Sequence, residues 1–502
     1  MKFREKTKGK ATVRNYMDGI SYKQPEKEEL VFSLLSSFME DTYYEKLDDR
    51  LKRLEPLVKS IAEKDPEFIA RLAYVVRKEF HMRSSFHVLM ALFAKYHKGD
   101  SLVKDTLVNC VERPDDLFEI IAIGGKPIPN AIKKGTDIAL SRFDEYQLAK
   151  YRGVGRNFSL VDIFNLIHPK PTEDKKELYE KVVEGSLKNI STWEAQLSSG
   201  RDKVKVWSEM INSGKLGYMA MLRNLRNILQ YCNDEDIKNV CSVISNKDRV
   251  LKSKQLPFRF LSAYRALNDS DGITFEKSSS GAELMTDALE RALKHSIGNI
   301  PLLYGKTAIL SDNSGSMRGD SGGSSLLSRF SSVKSSDIAN LFATLYWLRA
   351  DNTYVGLFGD KLIAPRLNRT KNLFENFKII DSEAKKCGAS TEEGVFKFFE
   401  EIISKKQMVD RIVIFSDCQV GRGCKWYDTG SRRADSFNKL FQKYMQINPS
   451  CKVYSIDLRG YGNKMVSGGL VLLSGWSEKI FELMEILERK EGIVKYIESK
   501  TI

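Results

Sequence analysis

Lys306-Thr-Ala-Ile-Leu-Ser-Asp-Asn-Ser-Gly-Ser-Met317 decides how the second half of this chain folds. The apolar run Thr307–Leu310 stops abruptly at Ser311-Asp312, and two hydroxyls, Ser314 and Ser316, flank Gly315. So short a run can be buried on both faces, as in a central parallel strand. The turn after it offers one carboxylate and two hydroxyls, all hard oxygen donors of the kind Mg²⁺ takes. Open α/β sheets bind ligands beyond the carboxyl ends of their strands. The stretch therefore reads as a strand-end divalent metal site.

From about Tyr304 onward, short apolar runs alternate with helical stretches. The expected strands are Thr307–Leu310, Thr353–Phe358, Lys378–Ile380, Arg411–Phe415, Val453–Ile456 and Leu470–Leu473. Helices Ser335–Leu348, Glu392–Ser404 and Ser477–Leu487 fall between or after them. Such alternation predicts a doubly wound, mostly parallel sheet. The Ser/Gly-rich stretch Gly319–Ser328 reads as a loop beside the metal turn. Two more loops offer oxygen donors at strand ends: Cys387-Gly-Ala-Ser-Thr391, and Ser416-Asp417 closing the run Ile412–Phe415.

Upstream the period is helical. Leu30, Leu34, Leu35 and Phe38 share a face, as do Leu51, Leu54, Leu57, Val58 and Ile61. The same spacing continues through Ile69–Val76 and Phe86–Phe93, as amphipathic helices require. Pro66 suits a first helical turn. Helix succession suggests an α-solenoid of HEAT type, but no fixed repeat is visible, and a non-repeating helical domain fits equally well. Residues 1–28 read as a basic arm. The boundary falls near Gly298-Asn-Ile-Pro301, giving a helical domain over 1–303 and an α/β domain over 304–502.

Composition narrows the class. With 502 residues the chain holds two to four domains at about 150 residues each. No run approaches the ~18 apolar residues of a membrane helix, and no apolar core follows the basic N-terminus, so neither a membrane role nor a secretory signal is expected. Seven scattered cysteines without a C-x-x-C pair suit a reducing cytoplasm. The net charge of +14 points to an anionic partner, nucleic acid before membrane. Residues 1–300 carry 50 basic and 43 acidic side chains and residues 301–502 carry 30 and 23, so each part is +7 and charge alone does not locate the binding surface. The five histidines, His81, His87, His97, His168 and His295, all precede the α/β region. A general base of the usual kind is thus missing near the metal turn, and Cys418 beside Asp417 lacks a histidine to make it a nucleophile. No enzymatic activity is expected, although carboxylate-only metal hydrolysis stays open.

Four basic clusters lie in the helical region. Leu222, Leu225 and Leu229 form an apolar stripe, with Arg223, Asn224, Arg226 and Asn227 on the other face, a composition suited to phosphates and base edges. In Ser253–Arg265 basic and aromatic residues interleave, as single-stranded nucleic acid favours. Arg71, Arg77, Lys78, His81 and Arg83 make a third group, and Lys150, Tyr151, Arg152, Arg156 and His168 a fourth. Any one of these alone reads more readily as a solvated helix face.

The strand-end pattern resembles a von Willebrand factor A domain, whose metal-ion-dependent adhesion site combines D-x-S-x-S with a later Thr and a later Asp. That resemblance implies direct ligation by Ser314 and Ser316, with Thr391 joining in an open state and Asp312 and Asp417 holding the ion largely through water. The Thr loop departs from the usual Gly-Gly-Thr-Asp, leaving Ser390 and Thr391 as alternative ligands. Upstream, LGYMAMLRNLRNI, QLPFRFLSAYRAL, TWEAQLS and FSLVDIFNLIHPKP resemble the TROVE module of the Ro autoantigen family, which carries an A domain in the same order. The resemblance spans nearly the whole chain and points to a bacterial or phage-type member. It implies a HEAT-like helical ring closed by the A domain, in a monomeric cytoplasmic protein. Small non-coding Y-like RNA would bind the outer surface, and single-stranded 3′ ends of misfolded RNA the central hole. On this resemblance Lys150, Arg152 and His168 match RNA-contacting positions of the ring surface. Arg223 and Arg226 lie in the signature helix, facing either the hole or the helix packing, while Arg77, Arg83, Lys133 and Lys134 contribute only electrostatically. An exoribonuclease or RNA-repair enzyme is the implied protein partner. The rival reading is a metal-dependent scaffold whose A domain recruits an acidic partner.

Overall fold

The computed structural model describes residues 13–14, 20–22, 24–35, 47–152, 158–188, 200–214, 216–255, 257–268, 279–319, 334–371, 373–389, 392–419, 431–459, 462, 464–475, 479–488 and 492–501. A two-residue antiparallel pair, β1 (Val13–Arg14) and β2 (Ile20–Ser21), precedes the helical array. The array begins with α1 (Glu26–Leu35), α2 (Leu47–Lys64), α3 (Pro66–Tyr74), α4 (Arg83–Tyr96), α5 (Leu102–Cys110), α6 (Pro114–Gly124), α7 (Asn130–Leu140), α8 (Glu145–Lys150), α9 (Leu160–Ile167) and α10 (Lys176–Val183). Local chemistry sets their starts. Pro66 and Pro114 open α3 and α6, where the first-turn amide needs no partner. Ser159 and Asp162 form a reciprocal capping box on α9, as Asp144 and Gln147 do on α8. Helices from Lys203–Asn212 to Ser279–Ser296 continue the array. Alternate helices pack on each other (α4 on α6, α5 on α7, α7 on α9), the stacking expected of helix pairs.

Within the signature segment the structure departs from the expected single helix. Tyr218–Arg223 ends at Asn224 and Leu225–Tyr231 begins there. Asn224 is buried and donates from Nδ2 to the Ala220 carbonyl at 2.8 Å, while its Oδ1 accepts from Asn227 at 3.0 Å. Its amide caps the break and is not displayed beside Arg223.

The α/β part has strands β3 (Leu303–Asp312), β4 (Ala350–Phe358), β5 (Leu362–Ile363), β6 (Arg411–Ser416), β7 (Lys452–Asp457) and β8 (Leu470–Ser474). Among the described residues they form one sheet in the order β5-β4-β3-β6-β7-β8. Every pairing is parallel except β4 with β5. This is the doubly wound sheet the alternation predicts. β3 and β6 are central and covered on both faces, which is why their sequences run apolar without alternating. One expected strand is instead helical. Lys378–Ile380 lies inside helix Leu373–Ala384, where Leu373, Phe374, Phe377, Ile380 and Ala384 share a buried face at helical spacing. The adjacent β-branched pair Ile379-Ile380 mimics a strand, but the wider period governs.

The two ends of the helical array both meet the sheet domain, which closes the ring. At the covalent seam Tyr264 stacks on Phe374 with centroids 4.0 Å apart, and Arg349 donates to the Ile300 carbonyl at 2.7 and 3.0 Å. The opposite seam combines polar contacts with the buried Ile493 and Ile497 of the C-terminal helix. Tyr22 forms an antiparallel bridge with Lys464, and Gln24 donates to the Leu472 carbonyl at 3.0 Å. C-terminal helix Gly492–Glu498 packs on α1 and α3. There Lys27 bridges Asp65 (2.7 Å) and Glu498 (2.8 Å), and Glu79 accepts from Tyr496 and Lys500.

Candidate functional site

Two places collect chemistry. At the carboxyl ends of β3, β6 and β7 the backbone turns gather acidic oxygens. Asp312 is 1% exposed; its Oδ1 accepts the Ser314 amide at 2.9 Å and its Oδ2 the Ser416 hydroxyl at 2.6 Å. Ser314 and Ser316 hydroxyls lie 3.3 Å apart, Ser314 buried and Ser316 exposed. Asp417 is buried and accepts the Gln419 amide at 3.2 Å. Asp457, at the end of β7, was not singled out from sequence; it is buried and accepts amides from Arg459 and Gly462. The Arg459 guanidinium donates to the Ser316 carbonyl, tying that turn to the β7 loop. The Thr loop approaches from the other side, where Gly315 donates to the Ala389 carbonyl at 2.8 Å. This approach needs glycine: a Cβ on Gly359 would stand 2.2 Å from the Gly388 carbonyl oxygen. Thr391 and Ser390 lie outside the described residues.

The electrostatics suit a cation. Burial, and then the charge of Asp417, pushes the Asp312 carboxyl up to about 7. Burial likewise raises Asp457 to about 7, against the Gly462 amide. No basic side chain among the described residues pairs with Asp312 or Asp417. Among the described residues no three His, Cys, Asp or Glu side chains converge as a metal cluster. The donor set is therefore hydroxyls with flanking carboxylates, a hard-oxygen combination that fits Mg²⁺ better than a soft metal.

The second place is the surface of α7 to α10. Lys134, Lys150 and His168 are exposed and Lys133 is half-buried. Lys150 lies over the rings of Tyr146 and Tyr151, at 5.7 and 5.6 Å. Arg152 is half-buried and donates to the carbonyls of Leu187 and Lys188, so it pins the chain after α10 as well as adding charge. His168 caps α9 with φ of 52°, a left-handed conformation uncommon outside glycine, and its amide donates to the Phe164 carbonyl at 2.8 Å. Arg223 is exposed and Arg226 half-buried, on the neighbouring short helices.

Other predicted contributors are spent internally. Arg77 is 3% exposed and pairs with Asp116 (2.9 Å) and Glu112 (2.8 Å). Arg83 pairs with Asp115 and Asp116, and His87 contacts Asp116 at 2.8 Å. Burial opposes ionisation of Asp116, but the His87 ring and the two arginines hold its carboxyl far below the usual range. Arg77 and Arg83 thus belong to a buried structural network joining α4, α6 and the turn after α3. In the interleaved segment, Phe260 is buried and Tyr264 is stacked on Phe374, so those aromatics serve packing. Arg156 lies outside the described residues.

Together these features define a helical ring closed by an A-type sheet domain. Residues 185–306 match the TROVE domain model. The chain resembles Telomerase protein component 1 of Rattus norvegicus at 23% identity over 334 residues, covering 48% of this chain and 13% of that protein. It resembles the Mus musculus protein of the same name at 37% identity over 94 residues, covering 18% of this chain and 4% of that one. It therefore spans only a small part of these relatives' length. Its fold is similar to the crystal structure of the Deinococcus radiodurans RO (RSR) protein, with a TM-score of 0.63 and 13% identity over 90% of this chain and 97% of that one. The chain thus carries a match to the TROVE domain over residues 185–306 and shares the fold of a Ro protein.

Proposed function

We propose that this protein is a non-catalytic RNA-binding ring that holds small non-coding, Y-like RNA on the α7–α10 surface. One observation carries the reading: Lys134, Lys150 and His168 stand exposed on adjacent helices without acidic partners among the described residues, in a TROVE-bearing chain of +14 net charge. Phosphates would meet these cations, with counterion release supplying affinity. Shape and 2′-hydroxyl contacts would select structured RNA. Single-stranded 3′ tails of misfolded RNA would enter the central hole, so the protein would act in RNA quality control or as an adaptor for an exoribonuclease or RNA-repair enzyme in the cytoplasm. Mg²⁺ at Asp312, Ser314, Ser316, Thr391 and Asp417 would give the A domain an acceptor for an acidic partner group. The test is ultraviolet crosslinking in the native cell followed by sequencing of the attached RNA. Recovery of a discrete small RNA, reduced in Lys150→Ala, is expected; recovery of no RNA above background would overturn the reading.

The rival, a metal-dependent scaffold without an RNA role, draws on the buried acidic strand ends alone. Partner capture that depends on Mg²⁺ and on Asp312, in a protein that retains no RNA, would favour it.

A further inference from the structure

An open groove of about 450 Å³ runs between α9 and α10, with the turn 168–171 at its end. That volume lies in the range of small-molecule sites, which pair apolar walls with a few placed polar groups. Phe164 and Val183 supply the apolar walls, and Val183 is 57% exposed although it is a large aliphatic side chain. Phe164 meets Tyr179 edge-to-face with centroids 4.9 Å apart, which fixes the floor. Tyr179 is 4% exposed and its hydroxyl has no hydrogen-bond partner among the described residues. Asn165 adds an amide that can both donate and accept, and Glu180 a carboxylate. His168 stands at the rim in its left-handed conformation. Non-glycine residues held in that region collect at ligand sites, where surrounding structure enforces them.

From this geometry we infer that the groove seats one unpaired nucleobase of the bound RNA, with His168 stacking or hydrogen-bonding at its edge. The inference rests on the RNA-binding reading. The distribution of charge favours a base over a phosphate as occupant. Glu180 and Glu184 line one wall and would repel an anion, whereas an exocyclic amino group can donate to such a carboxylate. Among the described residues Lys176 is the one cation in the lining, and its ammonium is paired with Glu173 at 2.7 Å; Lys150 and Lys134 are exposed on α8 and α7, outside the groove, and Lys170 is exposed just past the rim. Backbone outside and base inside is the arrangement in which every group meets a complementary partner, and aromatic stacking tolerates any base.

The test uses the full chain and a mixed-sequence RNA pool containing 4-thiouridine, crosslinked by long-wave ultraviolet light and mapped by mass spectrometry. Crosslinks should concentrate on Phe164, His168 and Val183. Val183→Trp fills the mouth from an exposed position and should cut those crosslinks about tenfold, the scale of one lost base stack, while total RNA retained changes less than about twofold. His168→Gly keeps the left-handed turn without strain and should also cut them while leaving thermal stability intact. Crosslinks confined to residues outside the groove, or unmoved by Val183→Trp, would overturn the inference and leave RNA binding standing. If the chain retained no RNA at all, the RNA reading itself would fail and the inference with it.

Discussion

At the strand ends Asp312 and Asp417 are buried among hydroxyls and amides, whereas on α7–α10 Lys134, Lys150 and His168 stand in solvent. The first arrangement costs stability, because two carboxylates out of water repel each other. The second costs little, because solvated lysines need no partner. A small hard ion must be gripped by a preformed cage, while a long polyanion is drawn in by many loosely held charges. Arg77 and Arg83 differ from both. They carry the same charge as Lys150, yet they are paired with Asp115, Asp116 and Glu112.

The largest effect should come from breaking that buried network. Asp116→Ala leaves Arg77 buried without its main partner and should destabilise the chain by about 3–5 kcal/mol in urea unfolding. The pH dependence follows from the same group. Its folded carboxyl is held below its unfolded value, so its contribution is full above the ordinary carboxylate range, near pH 4, and is lost as pH falls through and below that range. Acid unfolding of the parent should therefore be steeper than that of Asp116→Asn.

The strand ends rank next. Mg²⁺ at a hundredfold excess over its dissociation constant should stabilise the parent by about 2.7 kcal/mol and leave Asp312→Ala unmoved. Stabilisation that survives in the variant would separate the ion from this cage. Smaller still, Lys27→Met at the ring seam beside the C-terminal helix should cost under about 1 kcal/mol, because Lys27, Asp65 and Glu498 are all partly exposed. High salt should mask that difference, while the Tyr264–Phe374 seam stays insensitive to it.

Much of this was legible in the sequence because it depends on local period. The β3 turn is set by an apolar run meeting Asp312-Asn-Ser-Gly-Ser316, and the parallel sheet by strand–helix alternation. What stayed hidden depends on distant partners. β1, β2 and β5 are two residues each and exist only where another strand pairs with them. Arg77 shows its charge in the sequence but not Asp116, which lies 39 residues on and is brought to it by helix packing. Asp457 closes an unremarkable strand, and only the sheet order places it beside Asp417. Asn224 sits in a run with helical spacing, and nothing local announces the break it caps. The groove beside His168 leaves a trace only in the two prolines, Pro169 and Pro171, that follow it.

In the proposed function, exposed cations on α7–α10 hold RNA by its phosphates. The most direct measurement is the affinity of the full chain for a structured RNA across a salt series, beside Lys150→Ala. Log affinity should fall linearly with log salt, and the variant's slope should be shallower by about one. Binding independent of salt, or a slope unchanged by removing Lys150, would contradict it.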